Sequence, residues 1–229
     1  MGIFDHCGAR AMMAAMDPPL QERVYLGLKA DYLAGHFVPG KRIDLQDLAN
    51  RYRSSKTPVR EAAFVLVGEG LLTHHEDGGF VVPVLSPVEL VELLAWHMRL
   101  VLVSASSLKE ANLRQTLRHY SGSDGNASAI DVAVMTTEIF TSIAEATGNR
   151  LASIEVRRLN QRLHYSRIAD PLEPALAEKE LGILTNPDVA NLHKAMRRRI
   201  EAYHLRKIGR QRKIIQEASR INNGDIPSQ

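Results

Sequence analysis

Apolar residues recur every fourth position through Leu20, Val24, Leu28 and Tyr32, the spacing of one helical face. Pro18-Pro19 precedes this stretch and Gly35 stops it, with Pro39-Gly40 turning the chain afterwards. A short helix is expected from Asp44 to Tyr52, with Asp44 as its N-cap and Asp47 three residues on. Arg53 to Lys56 leaves room only for a tight turn, and a second helix opens within 55–58. Ser55 or Thr57 can cap it, and Pro58 is tolerated because a first-turn N–H has no partner to lose. Along this helix Val59, Ala62, Ala63 and Leu66 form an apolar face, and Lys56, Thr57 and Arg60 lie opposite. Glu69-Gly70 ends it. Leu71–His75 and Phe80–Val84 read as strands joined by Glu76-Asp77-Gly78-Gly79, a hairpin placed as a wing.

From Ser86-Pro87-Val88-Glu89 the pattern is helical, with loops between, as far as the tail at 222. That tetrapeptide supplies an N-cap, a first-turn proline and a capping-box glutamate. One long helix is expected to Tyr120, apolar nearly all round between Leu90 and Leu102, as a central bundle helix would be. Ser121–Asn126 is a loop. Ser128 with Asp131 caps the next helix, which runs to Gly148, and another spans Asn149 to Ile168. A broken helical stretch covers 171–185, and Asn186-Pro187 opens a last helix striped with Leu192, Met196, Ile200, Tyr203, Ile208 and Ile214. The fold class is mainly α: an N-terminal winged helix-turn-helix plus a C-terminal all-helical bundle. The expected divisions are an arm at 1–17, the winged unit at 18–85, the bundle at 86–221 and a tail at 222–229.

The chain of 229 residues is 45% hydrophobic and 24% charged, ordinary for a soluble protein. Its single cysteine, Cys7, allows no intramolecular disulfide and fits a reducing cytoplasm. The start lacks the design of a signal peptide. Glu89, Glu92, His97 and Arg99 interrupt the most apolar stretch, so no membrane span is expected. Net charge is only +3, but residues 194–220 hold ten Lys or Arg against two Glu. That run reads first as the solvated face of a long helix, and second as extra phosphate contact.

Between 51 and 60 there are four cations (Arg51, Arg53, Lys56 and Arg60) and no acid, where the phosphates of a duplex would lie beside a helix-turn-helix. Residues 20–85 resemble the winged helix-turn-helix of the GntR family of bacterial transcription regulators. The resemblance rests on Phe37-Val38-Pro39-Gly40 with Ile43, Asp47-Leu48-Ala49, Thr57-Pro58-Val59-Arg60-Glu61-Ala62, Glu69-Gly70-Leu71-Leu72 and Gly79-Phe80-Val81, in the family's order and spacing. It implies that Lys56, Thr57 and Arg60 enter the major groove of double-stranded DNA. Ser55, Arg51 and Arg53 would support them, and the turn at Gly79 would bring the wing to the duplex.

The bundle resembles the FadR-like, or FCD, subfamily, through Ile143–Asn149 and through Arg99 with Leu102; Val103 stands where a glutamate is usual. Many FCD proteins hold a divalent metal through one Asp and three His. Those positions fall on Thr136, Phe140, Ala177 and Arg199, so neither a metal nor another cofactor is expected. Arg199 and Arg99 are the candidate grips for a carboxylate effector. The nine histidines form no other recognisable ligand set: His193 and His204 are three helical turns apart, and His164 meets Asp131 only if the fold happens to bring them together. No catalytic arrangement is visible. The resemblance implies a cytoplasmic, homodimeric, metabolite-responsive regulator, more often a repressor, on a near-palindromic operator. The alternatives are a helical small-molecule-binding protein or enzyme with a vestigial head, and an architectural DNA binder without an effector.

Overall fold

Helix α1, Leu20–Leu33, buries Val24, Leu28 and Tyr32 and leaves Leu20 largely exposed. Gly35, at φ 72°, closes it, and His36 N–H reaches back to Asp31 O at 3.1 Å, the left-handed ending that glycine allows. The structure is a computed structural model that describes residues 18–120, 127–170 and 172–222, with side chains described to residue 217. The expected arm at 1–17, the Ser121–Asn126 loop and the tail beyond Asn222 lie outside the described residues. The chain divides after Pro83 into two compact units.

In the first unit, α2 (Leu45–Arg51) and α3 (Lys56–Gly68) follow α1, and β1 (Thr73–His74) pairs antiparallel with β2 (Phe80–Val81). The strands are shorter than the sequence pattern implies. Leu71 and Leu72 turn into the core, and Val84 is exposed instead of extending the ladder. Arg42 bridges to Val81, and Ile43 N–H donates to Phe80 O at 2.9 Å, so the segment before α2 adds a third rung.

The second unit is helical among its described residues, built from α4 (Pro87–Ser107), α5 (Glu110–Arg118), α6 (Ala129–Glu145), α7 (Arg150–Arg162), α8 (His164–Ile168), α9 (Pro174–Thr185) and α10 (Leu192–Asn222). Capping boxes at Ser86/Glu89 and Ser128/Asp131 start α4 and α6. The helix expected over 86–120 is two helices. The Ser106 and Ser107 hydroxyls donate back to Val103 O at 2.9 and 2.7 Å, and Leu108 turns extended at ψ 146° to bury its side chain. The last helix begins at Leu192, later than Pro187. Asn186 accepts from Asp188 N–H in a turn, and Asn191 accepts from Lys194 N–H at 3.0 Å as the effective cap. The stretch over 171–185, expected to be broken, contains one continuous helix from Pro174.

Helices α4 and α10 lie along each other and enclose a core with α6 that includes Val101, Ile139, Phe140, Ile143, Met196 and Ile200. Helix α4 is not apolar-buried all round. Val88, Trp96 and Val103 are about half exposed or more, on one stripe with Glu92 and Arg99. No described helix is long and apolar enough to cross a membrane.

Candidate nucleic-acid interface and the bundle interior

The Asp44 carboxylate accepts from Asp47 and Gln46 N–H at 3.2 and 2.7 Å, and these bonds hold it below the usual carboxylate range. Helix α2 ends when Tyr52 N–H bonds Leu48 O and Ser54 N–H bonds Ala49 O. Arg53 carries the reversal at φ 51°, the one non-glycine residue with positive φ among the described residues. Ser55 occupies the N-cap position of α3, but its side chain makes no capping bond. Pro58, Val59, Ala62, Ala63 and Leu66 are buried against the rest of the unit, which turns Lys56, Thr57 and Arg60 outward. The spacing in the sequence dictates this placement, since buried and exposed positions alternate at the helical period.

Lys56 and Arg60 line one open groove of about 420 Å³ together with Arg42, Asp44, Gln46 and Gly79. Arg42 is the participant that the sequence did not reveal. A Cβ added at Gly79 would lie 2.8 Å from Arg42 Nε, so the guanidinium rests on the bare glycine backbone. Gly79 also needs its φ of 89°, which an L side chain resists. Sequence neighbours gave no hint of Arg42, because the Arg42–Val81 pairing that brings it to the wing is non-local. The wing is fixed to α3 by a ring cluster, with Phe64 5.7 Å from His74 and 5.2 Å from Phe80.

Arg51 differs from its expected place. Its guanidinium pairs with Asp31 of α1 at 2.8 Å and Asp47 at 3.0 Å, so the acid-free run over 51–60 is neutralised there by carboxylates from elsewhere. Arg51 acts first as a brace between α1 and α2, alongside the Tyr52 hydroxyl, which donates to Asp31 at 2.6 Å. Arg53, Lys56 and Arg60 form no ion pair among the described residues.

Inside the bundle, the four positions that the resemblance matches to metal ligands carry a hydroxyl, a phenyl ring, a methyl and a guanidinium. Thr136 donates its hydroxyl to Val132 O at 2.7 Å, Phe140 is fully buried, and Ala177 has no donor. Arg199 donates to Asn186 O at 2.7 Å and Leu184 O at 3.4 Å, closing the C-terminal end of α9. Arg99 sits on the exposed α4 stripe between Trp96 and Val103. Arg199 is thus engaged at the end of α9, and Arg99 lies on the exposed face of α4.

What fills the interior is aromatic. Phe140 stands 5.1 Å from His97 and 5.4 Å from His204. His204 Nδ1 must donate to Ile200 O, a 2.7 Å contact, because a carbonyl only accepts. His204 Nε2 is then the acceptor for His97 Nδ1–H at 2.8 Å, and His97 Nε2 is left buried without a hydrogen-bond partner. Burial, then the neighbouring imidazole and Arg167, push His97 well below the usual histidine range. Burial takes His204 down to about 3, although its bond to Ile200 opposes this. The pair was not legible in the sequence, since its members are 107 positions apart.

The comparisons agree with the geometry of the first unit. The profile of bacterial regulatory proteins of the gntR family matches residues 20–82. The chain is 32% identical over 142 residues to the Nta operon transcriptional regulator of Aminobacter aminovorans, covering 59% of this chain and 67% of that protein. In fold it is similar to McbR/YncC of E. coli (TM-score 0.64, 19% identity, 87% of this chain and 100% of that one). A GntR transcriptional regulator from Rhodococcus sp. RHA1 is similar too (TM-score 0.68, 16% identity, 83% and 96%). With its winged helix-turn-helix followed by a helical bundle, the chain belongs to the GntR family and is a DNA-binding transcriptional regulator.

Proposed function

We propose that the protein is a homodimeric repressor of the FadR-like kind, without a bundle metal, which reads a near-palindromic operator and responds to an organic acid. The observation that carries the DNA-reading part is the outward face of α3, where Lys56, Thr57 and Arg60 stand free beside Arg42 and Gly79 of the wing. Arg60 and Lys56 are the base readers, Arg bidentate to guanine being the commonest specific contact. Arg42, Arg53 and Ser55 position the head on phosphate, and Arg51 contributes less because its charge is already paired. Repression is assigned on the subfamily resemblance alone.

A mobility shift on DNA upstream of the protein's own gene tests this reading. Arg42→Ala and Arg53→Ala should weaken binding evenly across sequences and lower the salt slope by about one phosphate contact each. Unchanged salt dependence in both variants would contradict the positioning role.

The homodimer is supported by the α4 stripe. Trp96 is 48% exposed and Val103 63%, and Val103 borders an apolar groove of about 500 Å³ with Leu102, Ala105 and Met196. A two-fold partner on this face would cover it and set two heads on two half-sites. Light scattering at micromolar concentration is expected to give a dimer, and Val103→Asp a monomer. A wild-type monomer that still binds its operator specifically would contradict the proposal.

A further inference from the structure

The outward face of α3 does not stay polar along its length. Lys56, Arg60 and Phe64 follow one another at four-residue spacing, opposite the buried Val59, Ala62, Ala63 and Leu66. Phe64 is 51% exposed, and Val65 beside it is equally so. Past Arg60 this helix carries no cation: Glu61 accepts from Gln21 Nε2 at 3.0 Å, and Gly68 ends the exposed row. The first half of the face can therefore bond phosphates and polar base edges. The second half offers a phosphate nothing.

Phe64 is also held in place. Its ring meets Phe80 edge-on, with centroids 5.2 Å apart and planes at 88°, and the His74 ring lies 5.7 Å away on β1. Phe80 is 3% exposed, so one side of the Phe64 ring rests on the buried floor of the wing. Bracing the wing uses that covered side only. The open side leaves an aromatic surface in water, continuous with the face of Lys56 and Arg60. A ring already fixed by its neighbours loses little freedom on binding.

In the major groove one group on the base edges is apolar, the 5-methyl of thymine, and phenylalanine is among the side chains that meet it. We infer that Phe64 reads a thymine methyl, about two base pairs from the pair that Arg60 contacts. The offset follows from the ~6 Å rise between the two residues along α3 and the ~3.4 Å between base pairs. Among the four bases only thymine carries that methyl, so the contact favours it at one strand position. The inference rests on α3 being the DNA-reading helix.

The test is a mobility shift of the full chain on the DNA upstream of its own gene, prepared once with thymidine and once with deoxyuridine throughout. Uracil lacks the methyl and keeps every hydrogen-bonding group. The wild type should bind the uracil probe about fourfold more weakly, or worse, fourfold being the worth of one buried methyl. In Phe64→Ala the ratio between probes should shrink toward one, while Arg60→Ala should weaken binding to both and keep the ratio. Comparing ratios removes other methyl contacts and altered duplex stiffness. Equal wild-type affinity for the two probes overturns the inference whether or not Phe64→Ala folds. So does a folded Phe64→Ala, or Phe64→Gln, that keeps the wild-type ratio, since Phe64 would then only brace the wing. A scan of single uracils needs no variant: the sensitive thymine should lie within about three base pairs of a guanine whose N7 methylation blocks binding. Sensitivity confined to thymines farther away overturns the inference. If Phe64→Ala keeps the ratio while Arg60→Ala weakens binding, the inference fails alone; if Arg60→Ala also binds as the wild type does, the placement of α3 fails with it.

Discussion

Stability should fall steeply as pH drops below about 6.5, well before the carboxylates titrate, because two histidines are buried neutral at one point in the bundle. His97 and His204 are fully buried, bonded to each other, and faced by Phe140, Tyr203 and the Arg167 charge. Neither can take a proton without placing a second cation in the same interior. In the unfolded chain both protonate near 6.5, whereas folded His204 holds out to about 3. The folded pKa is depressed, so the stability is complete above 6.5 and is lost as pH falls from there toward the folded value. His204 contributes about 1.4 kcal/mol per pH unit in that window, or roughly 2 kcal/mol by pH 5, and His97 adds to the loss in the same direction. Against a total of about 5–15 kcal/mol this is a large loss. Urea midpoints measured from pH 8 to pH 5 should fall accordingly, and His97→Gln/His204→Gln should flatten the profile. A wild-type midpoint unchanged down to pH 5 would contradict the buried-neutral assignment.

Phe140→Ala is the second large effect, and it concerns the place where the subfamily resemblance puts a metal ligand. Phe140 is completely buried, with Tyr203 at 5.3 Å and the two imidazoles on its other sides. Truncation removes the ring's burial and opens a cavity that the rigid helices α6 and α10 cannot close, which costs about 3–5 kcal/mol. Chemical denaturation should show a lower midpoint with little change in slope. A loss below about 1 kcal/mol would mean that the core collapses around the site and refills it.

Where local chemistry decides, the sequence was readable. Asp44, Ser86 and Ser128 mark helix starts that the hydrogen bonds reproduce, and the face carrying Lys56, Thr57 and Arg60 follows from periodicity alone. The misread elements have non-local or competing causes. Serine hydroxyls bonding backward to Val103 end α4 in a stretch whose apolar pattern runs on. Arg51 looked free because its partner Asp31 lies 20 positions away. Arg199 looked unengaged because Asn186 O, which accepts from its guanidinium, lies 13 positions upstream. The pairing of Arg42 with the wing, and the gathering of His97, His204 and Arg167, arise only on folding.

The most direct test of the central claim, that α3 reads DNA, is a footprinting titration of wild type and Arg60→Ala on operator and on unrelated DNA at the same moderate salt. The wild type should protect a near-palindromic stretch. Arg60→Ala should lose about 1–3 kcal/mol of binding on that stretch and little on unrelated DNA, because it removes a base contact and not the phosphate contacts. Equal affinity of both proteins for the operator would contradict the placement of the recognition helix.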